Sequence, residues 1–188
     1  MVLTGERDDV GYYIRANVGE SYRAGIEFDG IFFIDDYFTI KPNITFSSNK
    51  NSDYLTQFDG SLRNFGKTDI SFSPNLIFGN TVEYNLNSKT LLFFNTKYVG
   101  KQYMSNTNGD SSVLASYLVN DLGLNYNFSI PGFSQDSELK LLVNTLLNQK
   151  YESYCGHYFY DIDNKTYSGS YFYPMAEINF LLGLDFNF

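Results

Sequence analysis

The sequence is poor in the residues that mark several common classes of protein. Its 188 residues include one Cys, one His and no Trp. A single Cys excludes an internal disulfide framework, and no stretch approaches the roughly 20 consecutive apolar residues of a transmembrane helix. Positive charge is also scarce, because 13 basic residues stand against 21 acidic ones and give a net charge of -8. This balance argues against a nucleic-acid-binding surface.

Aromatic residues, by contrast, are abundant. The 17 Tyr and 18 Phe make up 19% of the chain, while its hydrophobic content is an ordinary 43%. Membrane β-barrels combine such values, because outward apolar and inward polar residues alternate and cancel in any average, and because aromatic girdles line both membrane interfaces. The composition therefore favours a membrane barrel over a soluble β-sandwich.

The last fifteen residues show the clearest pattern in the chain. From residue 178 onward every second residue is apolar, and the residues between them are mostly polar or small: Ile178, Phe180, Leu182, Leu184, Phe186 and Phe188 form the apolar set. A period of two predicts a β-strand. The pattern lasts for about the ten residues that a tilted strand needs to cross a bilayer.

The same alternation recurs along the chain and predicts about eight strands. They cover residues 2–7, 21–34, 37–48, 70–84, 89–103, 117–129, 138–151 and 174–188. The connections alternate between short (35–36, 85–88, 131–137) and long (49–67, 105–112, 152–173). Outer-membrane barrels have this asymmetry between periplasmic turns and outer loops. We therefore predict an all-β fold, an antiparallel up-and-down segment of a transmembrane β-barrel.

Several segments resemble the C-terminal part of the barrel of TonB-dependent outer-membrane receptors. The most specific are Val-Asn-x-Leu-x-Asn-x-Lys-Tyr at 143–151 and the terminal aromatic strand, and Arg-Ala-Gly-Ile-Glu at 23–27 is close behind. Weaker matches lie at 45–50, 97–106, 117–122 and 173–174. The matching segments follow in order along nearly the whole chain.

The resemblance implies that residues 1–188 form roughly the last third of a 22-stranded cylinder. The plug domain, the TonB-contacting box and a signal peptide are absent from this sequence, so we expect a fragment or a true start upstream of Met1. The implied function is energised uptake of a siderophore, cobalamin or a glycan across the outer membrane, without a cofactor. The implied partners are outer-membrane lipid, the remaining barrel and plug, TonB through the missing N-terminal part, and the barrel-assembly machinery. That machinery would read Phe180, Leu182, Leu184, Phe186 and Phe188.

The long connection at 152–173 holds the candidate ligand contacts. Tyr154, His157, Tyr158 and Tyr160 could stack on sugars or chelates, because aromatic rings offer a large apolar contact area. For the aromatic run at 171–173 an interface girdle is favoured over ligand contact, and for Tyr158 and Tyr160 the two readings are balanced.

Metal-dependent and catalytic chemistry find little support. Cys155 and His157 could ligate a soft metal, but two ligands do not make a site, and we expect both residues to be solvent-exposed in a loop. Asp161 and Asp163 lack the rest of a calcium loop. We expect the carboxylates of Asp53 and Asp59 to be hydrated in a loop and not to bind a cation. No nucleophile motif surrounds the single His, so we expect no enzyme and no catalytic residue.

Two other readings remain open. Eight strands can close into a small barrel with a structural or adhesive role, although the short first strand would pair poorly with the long last one. A soluble β-sandwich is the third reading. It is weakened by continuous aromatic faces that would be large exposed patches in water.

Overall fold

The computed structural model describes residues 2–7, 9–10, 12–16 and 19–187. Seventeen strands and one short 3-10 helix, Asp110–Ser112, make up its regular structure. The strands are β1 (Val2–Arg7), β2 (Tyr13–Ala16), β3 (Ser21–Asp29), β4 (Phe32–Phe33), β5 (Phe38–Asn51), β6 (Leu55–Phe58), β7 (Ser61–Asn64), β8 (Thr68–Asp69), β9 (Leu76–Asn87), β10 (Thr90–Val99), β11 (Gln102–Tyr103), β12 (Val113–Leu114), β13 (Tyr117–Ile130), β14 (Ser134–Asn144), β15 (Glu152–Ile162), β16 (Lys165–Pro174) and β17 (Asn179–Asn187). None of the helical structure in the described ranges is long and apolar enough to cross a membrane.

Seven long strands form one antiparallel sheet in which chain neighbours are also spatial neighbours. Their order is β3-β5-β9-β10-β13-β14-β17, with the short β4 and β8 paired to β5. Short connections at 30–37, 88–89 and 131–133 lie at one end, the short-turn end. Long connections at 52–75, 100–116 and 145–178 lie at the other, the long-loop end. The predicted all-β, up-and-down architecture with alternating connection lengths is confirmed.

The pairing register places the alternating apolar residues of all seven strands on one face, the apolar face. One row runs from Leu92 through Leu124 and Leu141 to Leu182, each directly opposite the next. The face is open to the surroundings: Phe180 is 74% exposed. A soluble sandwich would cover such a face with a second sheet, and none of the described strands does so. The sandwich reading is therefore wrong.

The opposite face, the polar face, pairs its charges. Lys41 Nζ lies 2.5 Å from Glu83, and Lys140 Nζ lies 3.0 Å from Glu138 and 2.5 Å from Asp185. These bonds join β5 to β9 and β14 to β17, so the ion pairs tie neighbouring strands together. The polar interior of a membrane barrel accommodates such groups.

The apolar face is interrupted by a row of polar or small residues. Pro42, Asn80, Thr96 and Asn120 lie opposite one another on β5, β9, β10 and β13. The Thr96 hydroxyl donates to Asn120 Oδ1 at 3.0 Å, whereas the buried Asn80 Oδ1 has no partner among the described residues. Pro42 has no backbone N–H to donate, and its carbonyl oxygen accepts a hydrogen bond from the Gly30 N–H at 3.1 Å, on the side of β5 that faces away from β9.

The described sheet is open. Within the described ranges β3 and β17 each pair on one side only, and β1 pairs with β2 rather than with the sheet. The sheet thus has seven long strands instead of about eight. Its open edges agree with the predicted partial barrel and do not support the alternative of an eight-stranded barrel closed on itself. Phe188, the last residue of the predicted closing strand, lies outside the described residues.

Several predicted boundaries are wrong. The segments at 8–19, 49–67 and 152–173, predicted to be connections, contain strands, namely β2, the hairpin β6–β7 and the hairpin β15–β16. Both hairpins turn on two residues with positive φ, Asp59–Gly60 and Asp163–Asn164, the type I′ geometry that fits the twist of paired strands. Conversely, β14 ends at Asn144 rather than at 151, and β9 begins at Leu76 rather than at 70.

Candidate functional site

The long-loop end carries the buried part of the molecule. Met104, Leu114 and Cys155 form the one buried apolar cluster found among the described residues, with relative exposures of 5%, 1% and 4%. They come from the connections 100–116 and 145–178, and Tyr54 is buried in the connection 52–75. The three long connections therefore pack into one structure, which we call the loop cluster.

Hairpin β15–β16 dominates the loop cluster, and its two faces differ completely in character. Strand pairing sets Tyr154 opposite Tyr173, and Tyr160 opposite Tyr167. Tyr158 and Tyr171 lie between them, so six tyrosines share one face, the tyrosine face. All six are exposed, from 41% at Tyr167 to 66% at Tyr154.

Two glycines let tyrosine rings lie against the hairpin. Gly156 is opposite Tyr171, and Gly169 is opposite Tyr158. A Cβ added at Gly156 would lie 2.2 Å from the Tyr171 ring, and one at Gly169 would lie 2.5 Å from Tyr158 Oη. The rings thus occupy the space that a side chain would fill. They present a broad aromatic surface with hydroxyl groups attached.

The rings on this face also contact one another. Tyr160 and Tyr167 stack at a centroid distance of 5.6 Å and an interplanar angle of 20°, and Tyr158 stacks on Tyr160 at 6.1 Å. At the base of the hairpin Tyr154 lies 5.3 Å from Tyr173. Such pairs contribute about 0.5–1.5 kcal/mol beyond area burial, so the face is pre-ordered rather than a set of independent side chains.

The other face of the hairpin, the back face, binds the neighbouring loops. The Ser170 hydroxyl donates to the carbonyl oxygen of Ser111 at 2.6 Å. Ser170 Oγ also lies 2.8 Å from His157 Nδ1. Because the Ser170 hydroxyl hydrogen goes to Ser111, Oγ accepts this second bond and Nδ1 donates it. The rings of Phe58 and Phe159 meet edge to face at 6.1 Å. The hairpin is therefore attached to both other loops by side chains.

Burial shifts the acid–base behaviour of two back-face residues. Desolvation lowers the pKa of His157 below its ordinary value. Desolvation, followed by the nearby Glu152 carboxylate, raises the pKa of the Cys155 thiol, which keeps it as an unreactive thiol. The prediction that both residues are solvent-exposed is wrong for Cys155, which the hairpin turns inward to 4% exposure, whereas His157 is half-buried. The described residues contain no group of three or more His, Cys, Asp or Glu that could hold a metal ion.

Basic residues of the long-loop end lie over aromatic rings. Arg63 Cζ is 5.2 Å from the Phe58 centroid and 4.9 Å from the Phe65 centroid, and Lys165 Nζ is 5.7 Å from the Tyr167 ring. Lys67 and Lys101 have similar ring contacts. Among described residues none of these four forms an ion pair with a carboxylate, unlike Lys41 and Lys140 of the sheet. Cation–π contact fixes a positive charge without neutralising it.

The candidate ligand contacts divide between the two faces of the hairpin. Tyr154, Tyr158 and Tyr160 lie together on the tyrosine face, whereas His157 lies on the back face and contacts Ser170. The sequence reasoning missed Tyr167, which completes the stacked set. Alternation of aromatics on both sides of the turn residues Asp163–Asn164 would have revealed it, had the segment been recognised as a hairpin.

The candidate assembly signal lies on the outer edge of the sheet. Phe180, Leu182, Leu184 and Phe186 of β17 are on the apolar face and between 38% and 74% exposed. The neighbouring Leu181 is 61% exposed on the opposite face, directly across from Leu142. The predicted apolar alternation of this strand is confirmed for the residues that the structure describes.

Comparison with known proteins finds relatives by fold only. No protein-family model and no curated protein matches this sequence. The crystal structure of the siderophore receptor PiuA from Acinetobacter baumannii is similar with a TM-score of 0.70 and 20% identity, over 96% of this chain and 23% of that chain. The ferric-catecholate import receptor Fiu from E. coli K12 is similar in its closed form, with a TM-score of 0.62 and 18% identity over 97% of this chain and 23% of Fiu.

The open form of Fiu is also similar, with a TM-score of 0.56 and 16% identity over 86% of this chain and 20% of that one. This chain therefore spans between 20% and 23% of the length of these structures. All are receptors by name rather than enzymes. The resemblance to TonB-dependent receptors is confirmed at the level of the fold: the chain folds as a segment of such a receptor β-barrel together with the loops at one of its ends.

Proposed function

We propose that this chain forms part of the wall and outer loops of an outer-membrane receptor that imports a ferric siderophore. The observation that carries the proposal is the match of 96% of the chain to the barrel of a siderophore receptor. The apolar face then contacts outer-membrane lipid, and the polar face lines the lumen. The remaining wall, the plug and the TonB contact belong to residues outside this chain.

The loop cluster supports a siderophore in preference to cobalamin or a glycan. A ferric chelate of the catecholate kind combines aromatic rings with negative charge. The tyrosine face offers stacked rings with hydroxyl donors, and Arg63 and Lys165 offer positive charges that no described carboxylate neutralises. In this arrangement Tyr154, Tyr158 and Tyr160 contact the chelate rings and the cations attract its charge.

Uptake of radioactive iron by the full-length gene product tests this function. The host lacks its own ferric-catecholate receptors, and the probe is a ferric tris-catecholate. We expect the double substitution Tyr158→Ala and Tyr160→Ala to weaken probe binding about tenfold, equivalent to about 1.4 kcal/mol. Arg63→Gln should weaken it further. Cobalamin and maltodextrin serve as competing solutes.

Two matched controls accompany these variants. Tyr37→Ala removes a tyrosine that is 56% exposed at the short-turn end, and Leu62→Ala changes an exposed apolar residue one position from Arg63. Both should bind the probe as the unmodified protein does. Saturable uptake of cobalamin or maltodextrin, without uptake of the ferric probe, would contradict the siderophore proposal and identify that other solute as the one transported. If Tyr37→Ala and the tyrosine-face variant lose probe binding equally, the loops are not part of the binding site.

We also infer that β17 serves as the signal for barrel assembly. Phe180, Leu182, Leu184 and Phe186 display a regular apolar set on an edge strand that pairs with β14 on one side and with none of the described strands on the other. An edge strand with free backbone groups is competent to pair with another strand, which is what an assembly machine that works by strand pairing requires.

A further inference from the structure

The tips of two hairpins from distant parts of the chain exchange backbone hydrogen bonds through one side-chain pair. The Asp59 N–H donates to Thr166 Oγ1 at 2.7 Å, and the Thr166 N–H donates to Asp59 Oδ1 at 2.8 Å. The Thr166 hydroxyl donates in turn to Asp161 Oδ1 at 2.5 Å. Asp59 and Thr166 are 107 residues apart. The first two bonds close a ring between Asp59 and Thr166, and the third extends it to Asp161; we call this arrangement the tip latch.

Tight turns on both hairpins make this approach possible. Gly60 and Asn164 belong to the two-residue turns of β6–β7 and β15–β16, and both have positive φ. A Cβ added at Gly60 would lie 3.0 Å from the Asn164 Cβ, so the tips touch with no room for a larger residue at that point. Below them Phe58 and Phe159 pack edge to face.

Neither hairpin is held by the sheet. The pairs β6–β7 and β15–β16 are two-stranded sheets of their own, without ladder hydrogen bonds to the seven long strands. A two-stranded hairpin alone is marginally stable, so side-chain contacts decide where each hairpin lies. The tip latch acts at the end of hairpin β15–β16 that is farthest from its base segments, 145–151 and 175–178. A contact at this end restricts rotation of the hairpin about its base more than a contact near the base does.

We propose that the tip latch couples the two hairpins into a single moving body and keeps the back face of β15–β16 closed against the loop cluster. When Thr166 releases Asp59, hairpin β15–β16 swings away on its base segments 145–151 and 175–178. That movement uncovers Cys155, which is otherwise buried, and further exposes the half-buried His157. Thr166 and Asp59 are thus positioning residues for the tyrosine face. The latch itself does not depend on the nature of the solute.

Cys155 provides a direct measure of opening. It is 4% exposed, so the rate at which a maleimide alkylates it, followed by mass spectrometry on the peptide that contains Cys155, reports how often the back face opens. We expect Thr166→Val, which keeps the shape but removes the hydroxyl, to raise this rate at least tenfold in the full-length protein in detergent. Thr166→Ser, which keeps the hydroxyl, should stay within about twofold of the unmodified protein. Tyr167→Phe, one residue away on the tyrosine face, is the matched control.

A double-substitution cycle separates a latch from a general loosening. Asp59→Ala should raise the alkylation rate as Thr166→Val does, and the double variant should be no faster than either single one, because one broken latch cannot be broken again. The proposal would be overturned if the two substitutions multiplied their effects on the alkylation rate in the double variant. An alkylation rate left unchanged by Thr166→Val would overturn it as well. The alkylation rate in urea is the rate for unfolded protein. A variant that already reacts at this rate without urea is unfolded, and the milder substitution Asp59→Asn then takes its place. The assay needs no ligand, so its outcome is independent of the siderophore proposal.

Discussion

At the scale of single residues, close packing of glycine against aromatic rings decides what the sheet tolerates. On the polar face Phe93 lies directly across from Gly123. A Cβ at Gly123 would lie only 1.9 Å from the Phe93 ring. The ring therefore fills the position of the missing side chain, and strand pairing between β10 and β13 depends on that glycine.

We predict that Gly123→Ala destabilises the protein by about 1–3 kcal/mol, the usual cost of forcing extra volume into a packed site. Gly183→Ala is the matched control, because its added Cβ meets only Lys140 Cβ at an ordinary 3.7 Å. Urea unfolding in detergent micelles measures both. Equal stability of the two variants would mean that the Phe93 ring moves aside without cost.

At the scale of elements, hairpin β15–β16 shows where sequence reasoning ends. The sequence predicts a long loop at 152–173, because tyrosine, serine and glycine stand there without the aliphatic residues that usually mark a strand. The turn pair Asp163–Asn164 was present in the sequence and favours a two-residue hairpin. The packing of the back face was beyond prediction, since Ser111 and Asp59 come from other loops.

Docking of this hairpin should depend on pH through His157, the only His in the sequence. Burial lowers the pKa of the docked imidazole, so the undocked hairpin binds a proton more strongly. The docked state therefore has its full stability above the ordinary pKa of about 6.5 and loses stability as the pH falls below it. The nearest acid along the same face, Asp161, already accepts a hydrogen bond from Thr166.

We expect the melting temperature of the loop cluster to be lower at pH 5 than at pH 7.5, and His157→Gln to remove most of that difference. Calorimetry of the detergent-solubilised protein at the two pH values is the measurement. If His157→Gln leaves the difference unchanged, the carboxylates of the loops are responsible instead.

At the scale of the whole molecule, the sequence predicted the architecture better than the site. Regular alternation over ten-residue segments was enough for the open antiparallel sheet, its apolar face and the asymmetry of its connections. It did not predict that β1 pairs with β2 apart from the sheet, because a short strand can alternate without showing its partner. Nor did it predict the loop cluster, whose contacts join residues up to 107 positions apart.

Assembly into the membrane tests which side chains of the last strand, β17, face the lipid. Leu181 and Leu182 are adjacent and similarly exposed, at 61% and 66%, but lie on opposite faces of β17. We predict that Leu182→Ser lowers the amount of folded receptor in the outer membrane several-fold, while Leu181→Ser has little effect. Heat-dependent migration on a gel counts the folded fraction.

Insertion into pure lipid vesicles then separates the two causes of such a loss. A defect of Leu182→Ser that is present in cells and absent in vesicles belongs to recognition by the assembly machinery. A defect of equal size in both belongs to the cost of a hydroxyl facing lipid. Equal behaviour of the two variants in cells would contradict the assignment of the faces.

The buried cluster of Met104, Leu114 and Cys155 shares no residue with the apolar face of the sheet. A change in one region therefore leaves the packing of the other untouched. In an evolving population, successive substitutions could change the tyrosine face while the seven-stranded sheet keeps its sequence and packing.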